Sequence, residues 1–316
     1  MRPTNYAFVG SAPAGVKRFW QQELPLHFSF VGPAPAGAPP LLKFKRKVKN
    51  MEHILNVIIG ILVGMIGTLI GAGGGFILIP YLVLVEKFTP QQAAGTSLFM
   101  VFFNALSGSI AYIRQKRVDF RTAFYFALAT IPGAVLGAYL NSFLHSRIFN
   151  VLFALLLLFL AARTFFHRPA PVNKEKEDKK IPGQETREII DRDGNKYEYS
   201  FNLWLGVGIS LGVGVISSLL GIGGGIIHVP LMGFLGFPIH IATATSHFIL
   251  VITSLIGVIS HISYGHVVFA KAIAYAVGAI IGAQIGARIS SKISGNTIKK
   301  GLAIALALVA VRLLTL

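Results

Sequence analysis

The sequence predicts an all-α polytopic membrane protein made of two tandem repeats. Each repeat is a glycine-broken, re-entrant helix pair followed by three transmembrane helices. Three observations carry this prediction. First, 53% of the 316 residues are hydrophobic and only 13% are charged, about half the charged share of a soluble domain. Second, apolar runs such as "VLFALLLLFLAA" (151–162) and "GLAIALALVAV" (301–311) approach or exceed the roughly 20 residues that cross a bilayer. Third, the second half of the chain repeats the first. "GMIGTLIGAGGGFILIP" (64–80) aligns with "GVISSLLGIGGGIIHVP" (214–230) at an offset of 150, with nine identities in seventeen positions. After one deletion the register continues. "AAGTSLF" (93–99) falls on "ATATSHF" (242–248), and Gly133 and Gly137 fall on Gly282 and Gly286.

Residues 1–50 stand apart, with eight Lys/Arg, one acidic residue and the Pro/Ala/Gly-rich echo "FVGSAPAG" and "FVGPAPAG". They lack the apolar core of a cleaved signal peptide. They read as a disordered basic leader, with a start at Met51 as one explanation. The first membrane repeat follows over 51–166. A helical run (54–70) meets the glycines, a short run (76–86) follows, and three long runs (92–114, 120–141, 147–166) complete it. Residues 167–202 form a charged linker; its 167–200 stretch holds eight basic and eight acidic residues. Its "DRDGNKYEY" offers an Asp-Gly hairpin turn, but a solvated linker is the preferred reading. The second repeat, 203–316, has runs at 203–220, 226–236, 241–261, 267–288 and 297–316.

The first unit of each repeat could cross as a broken span or enter and return as a hairpin. Segments 114–121, 167–200 and 288–300 are rich in Lys/Arg, whereas 141–147 and 262–271 each hold one basic residue. Hairpins put all three rich segments on the cytoplasmic side but leave "KFKRKVK" (43–49) outside. Broken spans reverse that conflict. The hairpin reading, with inverted repeats, is favoured. The net charge of +17 thus serves orientation and lipid contact rather than nucleic acid.

Three consecutive glycines disfavour a helix by about 1 kcal/mol each relative to alanine, and packing alone does not ask for them. Close packing does suit Gly60, Gly64, Gly67, Gly133 and Gly137. A dinucleotide fingerprint fails, because no acidic residue lies about twenty positions on. The remaining reading is a helix break. It frees backbone N–H groups at the start of a short helix, where they and the helix dipole attract anions. Substrate-binding candidates are therefore Gly71, Gly73, Gly74, Gly75, Gly221, Gly223, Gly224 and Gly225. Thr96-Ser97 and Thr245-Ser246 occupy matching places beside them, with Asn104 two turns further along. Residues 199–316 contain no Asp or Glu, and a cation pathway generally needs buried carboxylates. His228 and His247 lie near the breaks and are proton-coupling candidates; His261 and His266 are expected near the membrane surface.

At these residues the sequence resembles the sulfite exporter TauE/SafE family of membrane permeases. The likeness rests on "GAGGGFILIP" and "GIGGGIIHVP", each followed by "GTSLF" or "TATSHF", and covers about 54–165 and 203–316. It implies a multi-pass transporter of the cell (inner) membrane, exporting small sulfur-containing anions such as sulfite or organosulfonates. The expected function is secondary transport by alternating access between the repeats. An anion channel, an uptake permease for small organic anions and a non-transporting scaffold are the competing readings. No triad, paired carboxylates, cysteine or metal cluster is found in the core. No catalytic residue, cofactor or metal is expected, and the partners are a small anion, the bilayer and possible further copies of the chain.

Overall fold

The computed structural model describes residues 40–166 and 183–290, together with 292–293, 297, 300–301, 303–304, 307–308 and 310–311. Nine helices and one hairpin are assigned among the described residues. In order they are α1 (Pro40–Ile70), α2 (Gly75–Leu84), α3 (Pro90–Arg114), α4 (Phe120–Asn141), α5 (Ser146–Phe166), β1 (Gln184–Ile190), β2 (Lys196–Asn202), α6 (Leu203–Leu220), α7 (Gly225–Phe234), α8 (Ile239–Ser263) and α9 (Phe269–Ser290). Six stretches are long and apolar enough to cross a membrane: Met51–Ile70 of α1, then α3, α4, α6, α8 and α9. The ten-residue α2 and α7 are about 15 Å long, too short to do so. The described positions between 297 and 311 are helical, while most of the expected last span lies outside the described residues.

Local sequence accounts for where the helices begin. Thr89 and Gln92 form a reciprocal capping box ahead of α3, with Pro90 at its first position. Asp119 caps α4 by accepting from Thr122 N at 3.1 Å, and Asn202 caps α6 by accepting from Leu205 N at 3.0 Å. α1 and α6 both stop where a residue must turn left-handed, at Gly71 (φ 82°) and Gly221 (φ 76°). Six-to-one bonds from Ala72 N to Gly67 O (2.8 Å) and from Ile222 N to Ser217 O (3.0 Å) close both ends. The small-residue stripes pack helices from opposite halves. An added Cβ on Gly64 would meet Ala279 of α9, and one on Gly137 would meet Val215 of α6. α3 and α8 are the most buried spans, and the glycine turns lie against them.

Two sequence expectations are corrected here. Residues 40–50, read as part of an unstructured leader, are helical; residues 1–39 lie outside the described residues. The linker is not merely solvated, since residues 184–202 form an antiparallel hairpin with Arg187 paired to Tyr199. Its alternation is the reason. Lys196, Glu198 and Ser200 face out, while Tyr199 and Phe201 are buried and pack at a tilt against Phe237, with ring centroids 4.5 Å apart in both pairs. The charges hid a period-two apolar face. Residues 167–182 lie outside the described residues.

Several contacts join distant ends of elements. Lys271, at the start of α9, pairs with Glu52 near the start of the first span (2.8 Å) and with Glu86 just past the end of α2. The hairpin touches the loop between α3 and α4 through Arg117–Asp191 (2.9 Å) and Arg192 N to Gln115 O (3.0 Å). Gln91 donates to Asn141 O and Leu144 O, both at 2.9 Å, joining the start of α3 to the end of α4.

Candidate functional site

Each glycine turn is built the same way. Gly71, Gly73 and Gly74 have φ of 82°, 75° and 84°, and Gly221, Gly223 and Gly224 have 76°, 77° and 92°. L-residues seldom adopt such angles. Space forbids side chains as well. A Cβ on Gly75 would lie 3.0 Å from Gly221 O, and one on Gly225 would lie 2.5 Å from Gly71 O. The two turns therefore meet face to face. Val101 and Leu250, at matching places on α3 and α8, wedge against both Gly73 and Gly223.

The turns leave backbone donors over. Ile77 N and Leu78 N return to Gly74 O, and Ile227 N and His228 N return to Gly224 O. Among the described residues, no acceptor is found for the N–H groups of Gly74, Gly75 and Phe76, or of Gly223, Gly224, Gly225 and Ile226. All of these residues are buried. A buried N–H without a partner costs about 1–3 kcal/mol, and such groups are rare in native proteins. Seven of them at the starts of two apposed helices form a positive, donor-rich surface, with the carbonyls of Gly71 and Gly221 beside it. None of the nearest atoms around the eight glycines belongs to a charged side chain.

The Thr-Ser pairs divide their work. Ser246 Oγ donates to Gly71 O (3.1 Å) and Gly225 O (3.4 Å), bridging the turns. Ser97 Oγ is buried without a partner and sits 3.0 Å from where a Gly75 Cβ would be. The threonines instead hold loops of the opposite half. Thr96 Oγ1 accepts from Val268 N at 3.1 Å, and Thr245 Oγ1 accepts from Asp119 N at 3.0 Å. Asn104 is committed to the scaffold, with Nδ2 donating to Gly64 O (3.0 Å) and Ala279 O (3.2 Å).

Hydrogen bonding sets the state of both inner histidines. Asn104 Oδ1 accepts the single hydroxyl proton of Thr68 (3.1 Å), so His247 Nε2, 3.2 Å from Thr68 Oγ1, must be the donor. Ser210 Oγ likewise donates to Gly206 O (2.7 Å), so His228 Nε2 donates to it at 3.3 Å. Each ring keeps a buried Nδ1 with no protein partner. His261 lies at the end of α8 and is buried within the protein. Its Nε2 donates to Ser218 O (3.0 Å), so its Nδ1 accepts from His266 Nδ1 at 2.9 Å. Burial lowers the pKa of His266.

Thr68, Thr243 and Ser217 were not singled out by the sequence. Thr243 is the nearest neighbour of Gly71, and Ser217 of Gly224; both hydroxyls are buried without partners. A small polar residue at matched places before each cluster (Thr68 and Ser218, Ser217 beside it) was the available signal.

The sulfite exporter TauE/SafE family model matches residues 56–313. The chain belongs to this family. It is therefore an integral, multi-pass membrane protein of a transporter family, not an enzyme. It is 35% identical over 233 residues to the probable membrane transporter protein YunE of Bacillus subtilis, covering 71% of this chain and 83% of that one. It is 25% identical over 216 residues to the probable membrane transporter protein MJ0441 of Methanocaldococcus jannaschii, covering 66% and 72% of the two chains. A shorter stretch of 79 residues is 37% identical to sulfite exporter TauE/SafE family protein 5 of Arabidopsis thaliana, 24% of this chain and 17% of that one. No solved structure matches the chain.

Proposed function

We propose that this TauE/SafE protein is a secondary exporter of small sulfur-containing anions such as sulfite or organosulfonates. The anion is held between the two glycine turns, and the two halves act as inverted repeats. The observation that carries the reading is the set of buried, unpaired N–H groups at the starts of α2 and α7, with the unpartnered Ser97 hydroxyl beside them. Neutral donors suit an oxyanion that has only acceptors to offer. They stabilise its charge without a buried cation, and release costs less than breaking an ion pair in a low dielectric.

Contacts between chain ends support re-entrant hairpins. Lys271 reaches both Glu52 and Glu86, so the first span's start and the end of α2 share a face. Phe201 before α6 packs against Phe237 after α7, the same relation in the second half. Three crossings per half follow, and an odd number inverts the second half. His247 and His228 each offer Nδ1 to a proton that could travel with or against the anion.

A channel and a carrier differ in kinetics. In proteoliposomes, sulfite flux through a carrier saturates and responds to a pH gradient, whereas a channel passes sustained anion current. The same protein should gain thermal stability with sulfite as concentration exceeds the dissociation constant. Gly75→Ala, which crowds Gly221 O and Ser97 Oγ, should abolish both the shift and the flux while the variant stays monodisperse. A shift unchanged in Gly75→Ala would remove the glycine turns as the binding site.

A further inference from the structure

We propose that the β1–β2 hairpin is the gate over one end of the anion path, and that Asp119 couples it to the glycine turns. The proposal rests on the reading of those turns as the anion site. The hairpin covers the ends of α7 and α8. Tyr199 and Phe201 share one apolar cluster with Met232, Leu235, Phe237, Ile241, Ala242 and Phe126.

Its polar attachments reach the loop between α3 and α4, and Glu185 pairs with Arg121 at the start of α4 (3.7 Å). Tyr199 Oη donates to Asp119 Oδ2 at 2.9 Å, Arg187 Nε lies 3.9 Å from the same oxygen, and Arg117 pairs with Asp191. From Asp119 a continuous line runs inward. Asp119 N donates to Thr245 Oγ1 (3.0 Å), and the adjacent Ser246 donates to Gly71 O and Gly225 O. Lifting the hairpin leaves the Asp119 carboxylate to Thr122 N (3.1 Å) and Thr122 Oγ1 (2.6 Å) alone, and so loosens the loop that holds Thr245.

The matching place in the other half is built differently. Val268 N donates to Thr96 Oγ1, but Val268 has no carboxylate, and no hairpin lies between α4 and α5. The elements tied there are α1, α2 and α9, through Lys271, Glu52 and Glu86. A device present at one end only makes the two openings unequal in how fast they admit the anion. The path is short: two side chains and one loop, with the hairpin as the element that has two positions.

The chain has no cysteine, so a single Ala242→Cys reports on the space beneath the hairpin. We expect its alkylation by a small charged thiol reagent to quicken about tenfold in Tyr199→Phe, the factor expected for one lost hydrogen bond to a charged group. Asp119→Asn, which keeps the helix cap, should act likewise, and Ser200→Ala on the outer face should not. Separately, Phe201→Cys with Phe237→Cys, bridged by a short bifunctional reagent, should stop sulfite flux until the bridge is reduced. Unchanged alkylation in both Tyr199→Phe and Asp119→Asn overturns the gate. Full flux through the bridged protein overturns it too. Alkylation needs no cargo, so faster labelling in a protein that moves no sulfite upholds the gate and removes the transport reading instead.

Discussion

His247 is held at one end of its ring and unpartnered at the other. Its Nε2 proton belongs to Thr68, because the Thr68 proton is already given to Asn104. Only Nδ1 is free to gain a proton. Glutamine can replace the donation from Nε2 but has no titrating nitrogen. His247→Gln should therefore keep saturable sulfite flux and lose its response to a pH gradient, measured in proteoliposomes with and without an acid interior. A retained gradient response would exclude Nδ1 as the carrier of the proton. At this scale the sequence was uneven. The glycines were legible because left-handed turns and backbone contact leave no room for another residue. Thr68 was not, because serine and threonine occur throughout membrane helices and its partners lie 36 and 179 residues away. The Thr-Ser pairs were found, but their division of labour depends on which hydroxyl faces a loop, which spacing alone does not say.

The hairpin is the element the sequence offered but ranked below a solvated linker, and its anchor explains how it survives among so many charges. Burial alone would raise the Asp191 pKa. Hydrogen bonds from the Asn195 side chain and N–H, and the Arg117 guanidinium, outweigh this and hold it at about 2. Since that value is depressed below the ordinary carboxylate value, the contact contributes fully above about pH 4 and is lost as pH falls through about 2. Trp204 lies against Gly183 at the hairpin's base, and the chain has one other tryptophan, Trp20. In a Trp20→Phe background, Trp204 emission should stay constant from pH 8 to about 4 and shift below it. A shift centred near pH 5 or above would show that the Asp191 anchor does not set it. The helices were easier to read. α6 begins and ends where its apolar run does, at Leu203 and Leu220, because a capping Asn202 and a left-handed Gly221 mark both limits.

Across the whole molecule, the contacts obey one parity. The α3–α4 loop, the hairpin and the end of α9 touch one another, through Arg117–Asp191 and through Gln115 Nε2 to Ala287 O at 3.0 Å. The end of α4 and the start of α3 meet elsewhere, through Gln91. Single cysteines at Lys116 and Ser200 should accept an impermeant thiol label from one side of sealed vesicles, and those at Ser142 and Tyr264 from the other. Labelling of Lys116→Cys and Tyr264→Cys, at matching loops of the two halves, from the same side would rule out the inverted arrangement. The charge pattern already pointed to this arrangement in the sequence, but it could not separate hairpins from broken spans. Lys271 meeting both Glu52 and Glu86, residues some two hundred positions away in the chain, supports the proposed hairpins.

The threonine clasps have a consequence for biosynthesis. Thr96 waits for Val268, 172 residues downstream, and Asp119 waits for Thr245, 126 residues downstream. At roughly 5–20 residues per second, a ribosome needs about six to thirty-five seconds to deliver the later mate. For that interval the early spans sit in the bilayer with a hydroxyl and an amide still seeking partners, a window in which a chaperone or insertase has something definite to shield.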